Sequence, residues 1–311
     1  MRSLKPHLLA VHDLSRNEII SLFREAAELK ALRRRALAAQ RLSGKTLGLF
    51  FEKPSTRTRV SFEAGMNQLG GQSLFLSVAD IQMRRGESIA DTARVLSRYL
   101  DGLVIRSYEH QTVEEWARNA TIPVINGLTD LHHPCQVLSD LFTIREKKRR
   151  LKNIKITYVG DGNNVANSLL EGAAILGMAI SIACPSGYEP DASIVDWAKD
   201  RADQTGAVIE ILRDPYVAVK GADVLYTDVW TSMGQEKEQA RRLKVLSPYQ
   251  LNERLLAAAK ANVMVMHCLP AYRGQEITSS VLDGPHSVIL DQAENRLHVQ
   301  KAILIRLLRD R

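Results

Sequence analysis

Leu47-Gly48-Leu49-Phe50-Phe51-Glu52-Lys53-Pro54-Ser55-Thr56-Arg57-Thr58-Arg59 carries the chain from a short apolar run into a helix-like segment, Val60 to Leu69. A strand that passes through a polar turn into a helix is the building unit of an α/β fold. This turn puts hydroxyls and guanidinium groups at a helix N-terminus, where unpaired amides and the helix dipole favour anions. Arginine adds a planar fork that fits phosphate oxygens two at a time. A lone Ser-Thr pair would read as an ordinary cap. Two arginines alternating with hydroxyls directly after a strand read as a phosphate site.

The same alternation repeats outward from this unit. Strands are expected at 46–51, 73–77, 102–106, 122–126, 154–160, 179–183, 208–212, 223–227, 262–267 and 287–290. Helices are expected at 87–100, 112–119, 134–149, 164–176, 191–204 and 248–259. Upstream, Ser15-Arg16-Asn17-Glu18 has the form of a capping box, followed by Ile19, Leu22, Phe23, Ala26 and Leu29 at helical spacing. Such βα order calls for doubly wound parallel sheets covered on both faces. Ten strands are too many for one ordinary sheet. The charged stretch 145–153 is the natural border, giving two α/β domains, 1–145 and 150–295, with the active site in the cleft between them. Val299, Ile303, Leu304, Leu307 and Leu308 form a last amphipathic helix, within 296–311, that must dock on one of them.

Composition narrows the class. The chain has 311 residues, 45% hydrophobic and 25% charged, which suits a globular protein with two cores. No apolar stretch reaches spanning length, and the first residues lack a hydrophobic signal core, so a cytoplasmic protein without membrane contact is expected. Three scattered cysteines, Cys135, Cys184 and Cys268, argue for a reducing compartment and against a disulfide framework. The net charge of +7 suits anionic partners. Arg33-Arg34-Arg35 and Lys147-Lys148-Arg149-Arg150 sit near helix ends, where cations complement the dipole, and no aromatics interleave them. Nucleic-acid binding is therefore not expected.

Unusual polar residues collect just past the strands. Ser55–Arg59 follow the first, Arg106 closes the third, and His132-His133-Pro134-Cys135-Gln136 follow the fourth. Asp161–Asn164, Asp228 and His267-Cys268-Leu269-Pro270 stand in the same relation in the second half. Open α/β sheets bind ligands at that edge. Gly160-Asp161-Gly162 lacks the third glycine of a dinucleotide fingerprint, since position 165 is Val165, and reads as a plain strand-to-helix turn. Neither His132, His133 and Cys135 nor His267 and Cys268 has the paired spacing of a zinc site, and neighbours on a strand point to opposite faces, so no metal is expected. Cys268 alone is either a buried thiol or, beside Asp228 and a proline turn, a catalytic group.

Taken together, Ser55-Thr56-Arg57-Thr58-Arg59 and His133-Pro134-Cys135-Gln136 resemble the two phosphate-side motifs of the aspartate/ornithine carbamoyltransferase family. Asp228-Val229-Trp230-Thr231-Ser232-Met233-Gly234-Gln235-Glu236 and His267-Cys268-Leu269-Pro270 resemble the signatures of its ornithine branch; the aspartate branch has a different loop and an HPLP-type turn. The four motifs come in the family's order across nearly the whole chain. The resemblance implies an amino-terminal carbamoyl-phosphate domain, an ornithine domain after it, and a last helix that returns to the first. It implies transfer of a carbamoyl group from carbamoyl phosphate to the δ-amine of L-ornithine, giving citrulline and phosphate. Neither metal nor organic cofactor is needed. Members assemble as trimers or multiples of trimers.

The same resemblance assigns roles. Ser55, Thr56, Arg57 and Thr58 cradle the phosphate, and Arg106 reaches both phosphate and carbonyl oxygen. His133 and Gln136 hold the carbamoyl end, with Leu269 adding backbone contacts, and Arg296 is a further carbamoyl-phosphate contact. Gln82 corresponds to a residue that a neighbouring subunit inserts, against the alternative of a solvated loop residue. Asn164, Asp228, Ser232 and Met233 clamp ornithine, and Asn163 is placed to share the work of Asn164. Cys268 beside Asp228 deals with the proton on the amine. The rivals are a sister transferase acting on putrescine or an acylated ornithine, and a non-catalytic phosphometabolite-binding module.

Overall fold

The computed structural model describes residues 7–32, 40–77, 86–232, 234 and 236–309. In chain order the strands are β1 (Thr46–Phe51), β2 (Gln72–Ser77), β3 (Gly102–Arg106), β4 (Val124–Leu128), β5 (Lys155–Val159), β6 (Ala179–Ala183), β7 (Val208–Leu212), β8 (Val224–Thr227) and β9 (Met264–His267). The helices are α1 (Arg16–Leu32), α2 (Thr56–Gln68), α3 (Ile89–Leu96), α4 (His110–Asn119), α5 (Pro134–Lys148), α6 (Asn164–Leu176), α7 (Ala192–Thr205), α8 (Pro215–Ala218), α9 (Gln239–Leu246), α10 (Glu253–Ala257), α11 (Ser279–Leu282) and α12 (Ile289–Leu308). The chain forms two compact units, one of residues 1–139 with 295–311, the other of residues 140–294.

In the first unit four parallel strands lie in the order β2-β1-β3-β4. The α/β class expected from the alternation is the one adopted. β1 is central because its apolar run is buried on both faces, as a parallel strand under two helical layers must be. Phe50 packs its ring 5.1 Å from that of Trp116, which is fully buried from α4. Burying one such indole contributes about 5 kcal/mol at ~25 cal/mol per Å². The capping box is formed: the Ser15 N–H donates to Glu18 Oε2 at 2.6 Å, and the Glu18 N–H to Ser15 Oγ at 3.3 Å. Ile19, Leu22, Phe23, Ala26 and Leu29 of α1 are all buried, so the helical spacing read from the sequence marks the packed face. β4 begins after Pro123 rather than before it, since proline has no N–H for the ladder. Its carbonyl still accepts from the Leu103 N–H at 2.8 Å.

The second unit has five parallel strands in the order β7-β6-β5-β8-β9. α6 is buried along almost its whole length, and Gly177 closes it in the left-handed conformation at φ +70°. Val159, Leu225 and Val265, from β5, β8 and β9, enter one core with Leu251, Leu255, Ile277 and Val281.

Two expected elements differ. Residues 287–290 are not a strand. Ser287 makes a single bridge to Val265, and Ile289 and Leu290 already open α12, leaving Leu290 82% exposed. The expected helix 248–259 is interrupted because the Leu251 N–H donates to the Glu276 carbonyl at 2.8 Å, drawing that backbone out of helical register before α10. The basic run behaves as a helix end: Lys147 pairs with Asp291 at 2.7 Å, and Lys148 donates to the Asn262 carbonyl at 2.6 Å. Arg33–Arg35, Gln82 and Met233 lie outside the described residues.

Strand order matters for function. In the first sheet the winding reverses between β1 and β3, and in the second between β5 and β8. At such a switch point neighbouring loops diverge and leave a crevice at the carboxyl ends of the strands. Ser55–Thr58 and Arg106 border the first crevice; Asp161–Asn164 and Asp228 border the second.

Candidate active site

In the first unit the turn after β1 is built as an anion cradle. Ser55 caps α2, accepting the Thr58 N–H at 3.2 Å, and its hydroxyl donates to Thr58 Oγ1 at 3.0 Å. Arg296, carried by α12 and 4% exposed, donates through Nη2 to Thr58 Oγ1 at 2.9 Å and through Nη1 to Gln136 Oε1. Two motifs separated widely in sequence are thereby joined by one guanidinium. His133, before α5, is buried, as are Arg106 and Gln136. Burial first, then the charges of Arg296, Arg106 and Arg57, push the His133 imidazole well below its ordinary range. It is a neutral ring surrounded by three cations. That combination suits a dianion with an adjoining carbonyl: guanidiniums for the phosphate, a neutral N–H donor for the oxygen.

The paired arginines of the opening stretch part company. Arg57 acts on His133, whereas Arg59 pairs with Glu63 at 2.9 Å and stacks 3.9 Å over the Phe75 ring. Alternate positions at a helix start face different ways, so of these two guanidiniums only that of Arg57 joins Arg106 and Arg296 around His133. Lys53, which opens the polar turn, has a structural task. It is 2% exposed, pairs with Asp130 and lies 4.0 Å from the Tyr108 ring, tying together the turns after β1, β3 and β4. Cys135 is a structural thiol: burial raises it to about 12, and its Sγ donates to the Asn126 carbonyl at 3.5 Å.

In the second unit Asp228 follows β8 and Cys268 follows β9, on adjacent parallel strands. The Cys268 Sγ–H donates to Asp228 Oδ1 at 2.8 Å, and the Val229 N–H donates to the same oxygen at 2.8 Å. Asn163 Nδ2 donates to Asp228 Oδ2 at 2.7 Å. Asn164 and Ser232 are half-buried beside this cluster in sequence, at the start of α6 and in the loop after β8. Asp161, in the turn after β5, is raised to about 6 by burial, against the opposing pull of Arg242. Arg242, 6% exposed on α9, pairs with Asp161, donates to the Trp230 carbonyl and stacks 4.9 Å from the Tyr188 ring. It moors the loop that bears Ser232. Nothing in the sequence announced it, because its partner lies 81 positions away.

Asp228, His267 and Cys268 bring three donor atoms within 4.8 Å of one another. Strand alternation does not part these side chains, because β9 ends at His267 and Cys268 already belongs to the turn. The imidazole is nevertheless committed. Its Nδ1 accepts the Leu269 N–H at 2.8 Å, so the ring hydrogen sits on Nε2, 3.1 Å from Glu276 Oε1. A metal would have to displace one of these bonds. Their effect is to hold Leu269 at φ +59°, a left-handed conformation that a leucine adopts only under constraint.

A parallel α/β chain with a guanidinium cluster at one switch point and a carboxylate–thiol pair beside another has the parts a group-transfer enzyme needs. The family description "Aspartate/ornithine carbamoyltransferase, carbamoyl-P binding domain" matches residues 6–146, and "Aspartate/ornithine carbamoyltransferase, Asp/Orn binding domain" matches residues 152–307. The chain belongs to the aspartate/ornithine carbamoyltransferase family. It is 57% identical over 301 residues to an ornithine carbamoyltransferase of Syntrophus aciditrophicus, covering 97% of this chain and 99% of that one. It is 55% identical over 297 residues to one of Bacillus subtilis, covering 96% and 92%. The solved ornithine carbamoyltransferase of Pyrococcus furiosus superposes with a TM-score of 0.95 at 51% identity, covering 99% of each chain.

Proposed function

We propose that this chain transfers the carbamoyl group of carbamoyl phosphate to the δ-amine of L-ornithine, giving L-citrulline and phosphate. The observation that carries the reading is the Cys268 thiol donating to Asp228 Oδ1 at 2.8 Å. A δ-amine has a pKa near ~10.4, so on the order of one molecule in a thousand is neutral at pH 7. A site for such a nucleophile needs groups that bind the neutral amine or take up its proton, and a carboxylate with a thiol beside it supplies them.

Ser55, Thr56, Arg57, Thr58 and Arg106 grip the phosphate of carbamoyl phosphate, while His133, Gln136, Arg296 and the backbone at Leu269 hold its carbamoyl end. As the amine attacks, the carbonyl oxygen gains negative charge, and N–H donors from Arg106 and the neutral His133 stabilise it; one such donor is worth about 3–4 kcal/mol in acyl transfer. The C–O bond to phosphate then breaks, phosphate leaves as an anion onto the guanidiniums, and the amine's proton passes towards Cys268 and Asp228. Asn164, Asp228, Ser232 and Met233 hold the α-amino and α-carboxylate groups of ornithine, and Gln82 reaches the site of a neighbouring subunit in a trimer or a multiple of trimers. The enzyme acts in the cytoplasm, in arginine biosynthesis.

A colorimetric citrulline assay with ornithine, putrescine and aspartate in parallel tests this. Product with ornithine alone is expected. Turnover of putrescine or aspartate in its place refutes the assignment.

A further inference from the structure

We infer that Asn163 is a positioning residue, whose side-chain amide sets the Asp228 carboxylate in the orientation that meets the Cys268 thiol. The inference rests on the reading of Asp228 and Cys268 as the amine-side pair. The amide's own orientation follows from its neighbours. Its Oδ1 accepts from the backbone N–H groups of Val165 at 2.9 Å and Ala166 at 3.3 Å, and from the Tyr158 hydroxyl at 3.3 Å. Only an acceptor suits three donors, so the NH2 arm is the one that reaches Asp228 Oδ2 at 2.7 Å. Asp228 Oδ1 is occupied from the other side by Val229 N–H and Cys268 Sγ–H, each at 2.8 Å. With both oxygens held, the carboxylate cannot turn about its Cβ–Cγ bond. The base of the arrangement is firm, because Tyr158 is fully buried and Asn163 opens the buried helix α6.

The residue type is the telling point. As a helix cap alone, Asp or Ser would serve as well as Asn. At neutral pH Asp only accepts, and Ser has one oxygen on a shorter side chain; of the three, only Asn offers separate atoms for the two tasks, Oδ1 to the helix and Nδ2 to the carboxylate. An aspartate at 163 would set a second anion against Asp228, and one proton would then be shared between them, with a strongly raised apparent pKa. Among the described residues, the other titratable or charged groups around Asp228 are Tyr158, Tyr226, Cys268, His267 with its partner Glu276, and Asp161 with its partner Arg242. They are common to parent and variant, so a rate ratio divides them out.

The test compares the parent protein, Asn163→Asp and Asn163→Ser in citrulline formation at saturating carbamoyl phosphate. It spans about pH 5.5 to 9, where a shared carboxylate pair titrates. Asn163→Ser is expected to lower kcat/KM for ornithine about 10- to 100-fold at every pH, the size of a lost hydrogen bond to a charged group. Asn163→Asp keeps the cap and the fold, as thermal melting will show. Its activity relative to the parent is expected to be highest at low pH, where the shared proton replaces the lost donor. It should then fall as that proton leaves, to below the Asn163→Ser level. Carbamoyl-phosphate affinity should be unchanged in both. Parent-level kcat/KM in Asn163→Asp at all pH, or a ratio that does not move with pH, overturns the inference. Failure of the parent protein to make citrulline from ornithine overturns the functional reading beneath it, and is distinguished because it needs no variant.

Discussion

Replacing Gly162 by alanine should disable the amine side of the site while leaving the phosphate side intact. A Cβ at this position would stand 2.3 Å from Pro190 N, 2.4 Å from the Glu189 carbonyl carbon and 2.6 Å from Pro190 Cδ. All three belong to backbone or a proline ring, so none can swing away. Ordinary contact begins near 3.4 Å, so the turn must open by about 3.4 − 2.3 = 1.1 Å. It is held on the near side by the Gly162 N–H to Tyr188 carbonyl bond of 2.8 Å and the Asn163 N–H to Asp161 carbonyl bond of 2.7 Å. The displacement therefore passes to Asn163 and, through its 2.7 Å bond, to Asp228. A misplacement of ~1 Å is worth roughly a hundredfold in rate, and overpacking of this kind costs about 1–3 kcal/mol. For a domain of this size that corresponds to a fall in Tm of roughly 2–12 °C. Initial rates at varied ornithine, calorimetry with carbamoyl phosphate and a melting curve measure the three quantities. We expect kcat/KM for ornithine to drop about a hundredfold with carbamoyl-phosphate Kd unchanged. A Gly162→Ala protein with parental kcat/KM and Tm would refute the close-approach argument. The second glycine of Gly160-Asp161-Gly162 thus has a reason unrelated to a pyrophosphate: it lets the chain pass against Glu189-Pro190.

Cys268→Ser keeps a hydroxyl that can donate to Asp228, so geometry should survive while kcat falls by about 10²-fold or more, the usual share of a proton-handling group. Unchanged turnover with weakened carbamoyl-phosphate binding would contradict the assignment. Arg57→Ala should raise the carbamoyl-phosphate Kd at least tenfold, since a hydrogen bond to a charged group is worth about 1.5–3 kcal/mol; unaltered affinity by calorimetry would remove Arg57 from the cradle. The pH dependence of stability should carry a signature of His133. Its folded-state pKa is held well below the unfolded value of about 6.5, so the unfolded chain binds the extra proton first, and stability is lost as pH falls below that value. In urea titrations the parent should lose about 1.4 kcal/mol per pH unit relative to His133→Gln once below ~6.5. Parallel curves would mean that the imidazole is not buried among cations.

Much of this molecule was legible in the chain. Short apolar or β-branched runs marked nine of the strands; an inner strand such as Leu47–Phe51 is apolar throughout because it is buried under two helical layers. The capping box at Ser15–Glu18 and the buried stripe of α1 follow from local hydrogen bonding and helical spacing, and both need no knowledge of the rest. The misreadings arose where a distant partner overrode local preference. Val288-Ile289-Leu290 has strand composition yet starts a helix, and Leu251 leaves helical register to bond Glu276.

The chemistry divides along the same line. Residue types and their position after strands pointed to Ser55, Arg57, Arg106, His133, Asp228 and Cys268 without any coordinates. Which strands neighbour which was decided only in three dimensions, and with it the two reversals of winding that open a crevice. Tertiary structure likewise separated Arg57 from Arg59, joined Arg296 to Thr58 and Gln136, and seated Arg242 on Asp161. The physical reason is range. Caps, turns and periodicity are settled within a few residues, so the sequence states them directly. Burial, pKa and the partner of a charge depend on groups that reach a side chain from far along the chain, and only the folded packing brings those groups near.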